Sequence, residues 1–165
     1  VPVVELADGA SLPFLGATLT LSIEPERTRV RLDLDTLRVP DVAPLATVVG
    51  WYRASARRVM RELAEEYAET LGVTFRRIAI KDTRSRWGSC SSKGNLNFSW
   101  RLMLGPREVM AYVVAHEVAH LRELNHSPAF WEIVESLCPD YKTHRAWLRK
   151  HGRELGSWPA TVAAD

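Results

Sequence analysis

Three polar side chains, His116, Glu117 and His120, interrupt an otherwise apolar run, Val109-Met-Ala-Tyr-Val-Val-Ala-His-Glu-Val-Ala-His-Leu121. At about 100° per residue, a helix over this run sets His120 about 40° and Glu117 about 100° from His116, so all three share one side. The apolar side chains around them point in nearly every direction, the pattern of a buried helix. A carboxylate buried without a partner is costly, and a divalent metal facing the two imidazoles would compensate it. The pattern is His-Glu-x-x-His: one helical turn between the imidazoles lets both bind one ion, while the Glu reaches a water at the metal. With 5 His and 13 Glu in 165 residues, chance supplies only about 0.01 such matches.

A catalytic zinc takes three protein ligands and leaves a fourth position open. His126 lies six residues beyond His120, where a turn at Asn125 would bring its imidazole back to the ion. The His116–His120–His126 spacing equals that of the metzincins, but Glu123 stands where those enzymes have Gly. No Met follows either, so there is no Met-turn. Glu132 and Glu135, on the following helix, are the rival third ligands, with His126 the first choice and His144 a distant fourth. Cys90 is disfavoured as a nucleophile, because nothing nearby in sequence would activate it. As a fourth ligand it would close the site.

The elements that must position these residues follow from periodicity. Residues 1–42 read as short strands: one around Val3 and Leu6 before an Asp8-Gly9 turn, then 18–23, then 28–34 alternating at period two, then 37–39. Together they predict an antiparallel β-rich lobe with one solvated face. From Leu45 to Leu71 apolar residues recur at three- and four-residue steps, a long amphipathic helix stopped by Gly72. Residues 74–80 read as a strand, and 86–91 with 95–103 as a hairpin around Ser92-Lys93-Gly94. Pro106 opens the motif helix, expected to run to about Leu124 and to end on a left-handed Asn125. Ser127-Pro128 opens a helix to about Cys138, and Asp140 caps a last helix that Gly152 stops. The expected organisation is a lobe over 1–42, a domain carrying the motif over 43–152, and a tail over 153–165.

The 165 residues suit one domain of ordinary size; hydrophobic residues make up 46% and charged residues 25%. These values exclude a disordered chain, a collagen-like fibre and a low-complexity repeat. No run of apolar residues is long enough for a membrane-spanning helix. Val1–Gly9 has neither the basic nor the apolar region of a secretory leader. Cys90 and Cys138 are the only cysteines, too few for a disulfide scaffold, so free thiols and a cytoplasmic setting are expected. Net charge is +2, with 18 Arg against 4 Lys. Arg suits planar recognition of phosphate and carboxylate, although a codon preference for Arg is the favoured explanation of the excess.

Residues Arg86-Trp-Gly-Ser-Cys-Ser-Ser-Lys-Gly-Asn-Leu-Asn97, Trp100-Arg-Leu102, His116-Glu-Val-Ala-His-Leu121, Asn125-His-Ser127 and Phe130-Trp131 together resemble the YgjP-like metallopeptidases (DUF45), which are similar to the SprT and WLM groups of zincins. The likeness is close over residues 75–152, while 1–72 match only in layout. It implies an α+β, zincin-like fold in which zinc is bound by His116, His120 and His126 and Glu117 is catalytic. The resemblance implies little about substrate. In zincins a strand preceding the motif helix binds the substrate as an added strand. Residues 95–100 are the candidate edge, with Asn95 and Asn97 as substrate contacts; a structural hairpin packing Trp87 and Trp100 on the helix is an equal alternative.

The expectation is therefore a zinc-dependent metallopeptidase acting on peptides or proteins, with Tyr141, His144 or an Arg as further donor to the developing oxyanion. A different class is a module docked to nucleic acid through the Arg-rich segments 53–61, 76–86 and 142–153, by analogy with SprT-like proteases. A metal-binding protein without peptidase activity is a third.

Overall fold

The computed structural model describes residues 5–159. Their order is β1 (Ser11–Phe14), β2 (Ala17–Glu24), β3 (Arg31–Asp33), β4 (Thr36–Pro40), α1 (Pro44–Leu71), β5 (Arg77–Lys81), β6 (Gly88–Cys90), β7 (Asn95–Ser99), a 3-10 helix (Trp100–Leu104), α2 (Arg107–Ala119), α3 (Pro128–Leu137) and α4 (Tyr141–Gly156). The fold is α+β, with a four-stranded sheet in order β1-β2-β4-β3 and a three-stranded sheet in order β5-β7-β6.

The N-terminal sheet is mixed, not antiparallel throughout as its alternation suggested. β1 pairs antiparallel with β2, but β4 runs parallel to β2, with Leu21 opposite Leu37. A tight β3–β4 hairpin occupies the connection, so the chain returns beside β2 in the same direction. Parallel neighbours need such a crossover, which strand periodicity alone does not reveal. The regular pattern of residues 28–34 also misleads: Leu34 is 98% exposed at a turn with φ 54°. The first expected strand, around Val3, lies partly outside the described residues; the Asp8-Gly9 turn is present, with Gly9 at φ 83°.

α1 matches its periodicity. Pro44 stands in its first turn, and Gly72, at φ 68°, turns its N–H back to the last carbonyls, as a left-handed cap does. Val48, Tyr52, Ala56, Met60 and Ala64 are fully buried along one face. That face is part of one continuous apolar cluster from Leu12 to Leu155, which includes both sheets and α2. No described helix is long and apolar enough to cross a membrane.

In the second sheet, β6 and β7 form the expected hairpin, and Gly94 at φ 83° makes its turn. β7 ends at Ser99, short of the expected residue 103, where the Ser99 side chain accepts the Arg101 N–H and opens the 3-10 helix. β5 lies parallel on the other side of β7. α2 ends at Ala119, five residues before the expected Leu124. The chain then tightens: the N–H groups of Arg122 and Glu123 both reach the Ala119 carbonyl. Asn125 is not among the residues of positive φ. Ser127 caps α3 by accepting the Phe130 N–H at 3.3 Å.

α4 runs through Gly152 to Gly156. A Cβ at Gly152 would stand 3.1 Å from the Trp87 ring, and one at Gly156 2.7 Å from the Arg84 carbonyl oxygen. These glycines admit the loop before β6 against the helix; neither stops it at 152. The expected tail therefore begins inside the fold: Leu155 is buried, and the Trp158 ring meets Tyr52 and Trp100 edge-on. The rest of that tail, 160–165, lies outside the described residues.

Candidate metal centre

α2 carries His116 and Glu117 one helical turn before the chain leaves the helix at His120. The turns after Ala119 then bring His126 back over the same face. Ligand atoms of His116, His120 and His126 all lie within 4.8 Å of one another. Their Nε2 atoms converge: His120 to His126 is 3.1 Å and His126 to His116 is 3.3 Å. Two nitrogens bound tetrahedrally to zinc at about 2.0–2.1 Å stand about 3.3 Å apart, so the spacing fits one such ion.

The tautomers fit as well. The His120 Nδ1–H donates to the Glu123 carbonyl at 3.0 Å, which leaves Nε2 with its lone pair aimed inward. The Tyr112 hydroxyl stands 3.5 Å from His116 Nδ1. Burial holds the His116 imidazolium well down, to about 3, with the neighbouring His120 and His126 adding to the effect. Burial lowers His120 too. Neutral imidazoles are the form that binds a metal.

α3 walls the cluster. The Phe130 ring stacks on His120 at 4.3 Å, and Trp131 stacks on His126 at 6.0 Å. The rival ligands Glu132 and Glu135 are exposed on α3 and do not join the histidines; His144, on α4, does not either. Glu117 is only 7% exposed. Burial pushes its carboxyl up to about 7, with the Arg86 guanidinium pulling the other way.

A cavity of about 250 Å³ joins these groups, lined by Arg86, Gly88, Ser89, Cys90 and Leu124 together with His116, Glu117, His120 and His126. Of the oxyanion donors considered, only an arginine, Arg86, lines it. Tyr141 is stacked on Trp131 instead. Cys90 is a free thiol, as is Cys138.

Asn95 and Asn97 are not on a free strand edge. β7 is the middle strand, hydrogen-bonded on both sides, so it cannot accept another. Asn97 Nδ2 donates to Ser89 Oγ at 3.1 Å. The unpaired edge beside the histidines belongs to β6.

Gly88 is a site residue whose role its type did not disclose. A Cβ there would stand 2.9 Å from Glu117 Cγ and 3.0 Å from Oε2, so the glycine makes the space that Glu117 occupies. Tyr112 was also missed, although its place four residues before His116 sets both on one helix face.

Residues 2–151 match the family described as YgjP-like, metallopeptidase domain. Among solved structures, the chain is similar to the metallopeptidase zymogen of Pyrococcus abyssi abylysin, at 26% identity and a TM-score of 0.49 over 55% of this chain and 93% of that one. No curated protein matches.

Proposed function

The chain belongs to the YgjP-like metallopeptidase family, and from that premise we propose that it hydrolyses peptide bonds with one zinc ion held by His116, His120 and His126 and with Glu117 as general base. The convergence of three imidazoles, with His126 Nε2 at 3.1 Å from that of His120 and 3.3 Å from that of His116, beside a buried carboxylate carries this reading. Bound zinc would polarise the scissile carbonyl and lower the pKa of water.

The remaining work falls to side chains. His120 is oriented by the Glu123 carbonyl, and His116 and His126 are held against the rings of Phe130 and Trp131. Glu117 accepts a proton from the attacking water and delivers it to the leaving amine. Its carboxyl, shifted toward neutral pH by burial, suits both halves of that transfer. The substrate lies extended along the unpaired edge of β6, with backbone hydrogen bonds to that strand, as in strand addition.

Metal analysis of the purified chain, joined to a broad peptide-cleavage screen, tests the proposal. One zinc per chain is expected. Glu117→Gln keeps the shape and removes the acceptor, so it should retain zinc while losing about 10²-fold or more in hydrolysis. Equal rates for wild type and Glu117→Gln, both fully zinc-loaded, would remove Glu117 from the mechanism.

A further inference from the structure

The β6 edge faces two compartments. Gly88 turns toward Glu117 on α2, whereas Ser89 points the other way, beside Asn97. On that outer face the register sets Lys81 opposite Ser99 across β5 and β7, and Ser89 opposite Asn97 across β6 and β7. No helix is needed there to bury apolar side chains, because those of this sheet point inward: Ile78, Ile80, Leu96 and Phe98 are the buried ones.

A second cavity, about 290 Å³, lies on this face and is lined by Lys81, Thr83, Arg86, Ser89, Asn97 and Ser99 among others. Arg86, Gly88 and Ser89 line both this cavity and the one holding the histidines, so the two adjoin across β6. Its chemistry is one-sided. Its charged lining is two cations, Lys81 and Arg86, and no carboxylate, set beside the rings of Trp87 and Phe98. The Thr83 and Ser99 hydroxyls donate to the Arg86 and Thr83 carbonyls, and the Asn97 amide donates to Ser89 Oγ. Among the described residues neither Lys81 nor Arg86 has an ion-pair partner, and the adjacent Asp82 is held by Arg101 Nε at 2.8 Å.

A peptide laid along β6 sends alternate side chains to opposite faces. When one residue faces the histidines, its neighbour faces the outer cavity. We propose that this cavity is a specificity subsite that takes a substrate carboxylate, either an Asp or Glu side chain or a free C-terminus, between Lys81 and Arg86. The assignment rests on the peptide-hydrolysing reading above and adds the substrate class to it. Charge-assisted hydrogen bonds from two cations favour a carboxylate over the neutral amide of the same shape.

The test uses the full zinc-loaded chain in two readouts. One is kcat/KM for matched peptides, acidic against their Gln or Asn counterparts, each with a free or an amidated C-terminus. The other is fluorescence-anisotropy binding of the same peptides to Glu117→Gln, which cuts them about 10²-fold or more slowly. The expected result is a preference of about 10-fold or more for the carboxylate-bearing peptide at one fixed position. Loss of preference on Glu-to-Gln exchange identifies a side chain; loss on amidation identifies the C-terminus. Lys81→Glu should reduce or invert the preference in both readouts, and Lys81→Gln should reduce it part of the way. Lys81 is exposed, so neither variant threatens the fold. A preference near one in wild type, or one that Lys81→Glu leaves unchanged, overturns the subsite. If no peptide is cut, hydrolysis fails as a reading, and the binding ratio with its Lys81 dependence alone decides the subsite.

Discussion

At the scale of single residues, the histidines were readable because one helix carries two of them at a spacing that only a shared face explains. Gly88 was not, because its partner, Glu117, is 29 positions away and nothing local marks the contact. The packing makes a sharp prediction. Gly88→Ala puts a methyl group 2.9 Å from Glu117 Cγ and 3.1 Å from Val113 Cγ1, so the carboxylate must move. Hydrolysis should fall by about 10-fold or more, since misplacing a catalytic group by about 1 Å has effects up to 10²-fold. Zinc content, read by elemental analysis, should stay at the wild-type level. Unchanged kcat would mean that Glu117 has room the packing denies it. Cys90, in the same cavity, carries a second prediction. Burial, and then the charge of Glu117, push its thiol up to about 11. The reactive thiolate is therefore a small fraction at neutral pH. Alkylation of Cys90, followed by mass spectrometry, should speed up about tenfold per pH unit from 7 to 10 without levelling off. A plateau near pH 8.5 would contradict the burial.

At the scale of elements, α1, α3 and the β6–β7 hairpin could be read from period and turn residues, because each answers to local chemistry. Sheet order could not. That β4 runs parallel to β2, and that β7 is enclosed by β5 and β6, depends on pairing between segments distant in sequence, and so the unpaired edge beside the histidines is that of β6 and not that of Asn95 and Asn97. The end of α2 was also beyond local reading: the sequence continues apolar through Leu121, yet the chain tightens after Ala119 and returns His126. The element that holds this return is α3. Ser127 accepts the Phe130 N–H at its start, next to His126, while Phe130 and Trp131 contact the imidazoles. Ser127→Ala should cost about 1 kcal/mol of stability, the usual loss for an N-cap. Because the freed turn carries the proposed ligand His126, it should also weaken zinc retention by about 10-fold, at the low end for residues that orient ligands. Chelator competition and a thermal melt measure the two effects separately. A lower melting temperature with unchanged zinc affinity would show that α3 supports the fold without positioning His126.

At the scale of the whole molecule, residues 153–159 close the structure instead of trailing from it. Arg101 is 4% exposed and pairs with Asp82 at 2.8 Å. Its Nη1 also donates to the carbonyls of Leu155 at 3.1 Å and Trp158 at 2.6 Å. One guanidinium thus ties the end of β5, the segment after β7 and the end of α4. The same end of α4 receives Trp87 at Gly152 and the Arg84 backbone at Gly156, fixing the loop that carries Arg86 into both cavities. Removing the guanidinium strands two carbonyls whose desolvation costs about 1–3 kcal/mol each. Arg101→Leu should therefore lose about 2–6 kcal/mol, as read from chemical denaturation. Ending the chain at Gly152 should cost more, since it also removes the buried Leu155 and the Trp158 ring. The two changes should not add: with residue 153 onward gone, the guanidinium has already lost two of its three partners. The double variant should melt close to the truncated chain, well short of the sum expected for independent sites. Hydrolysis should fall with truncation as Arg86 loses its support, even at temperatures where the rest of the fold holds. Full additivity in the denaturation cycle would mean that Arg101 stabilises the core without reference to the chain's end.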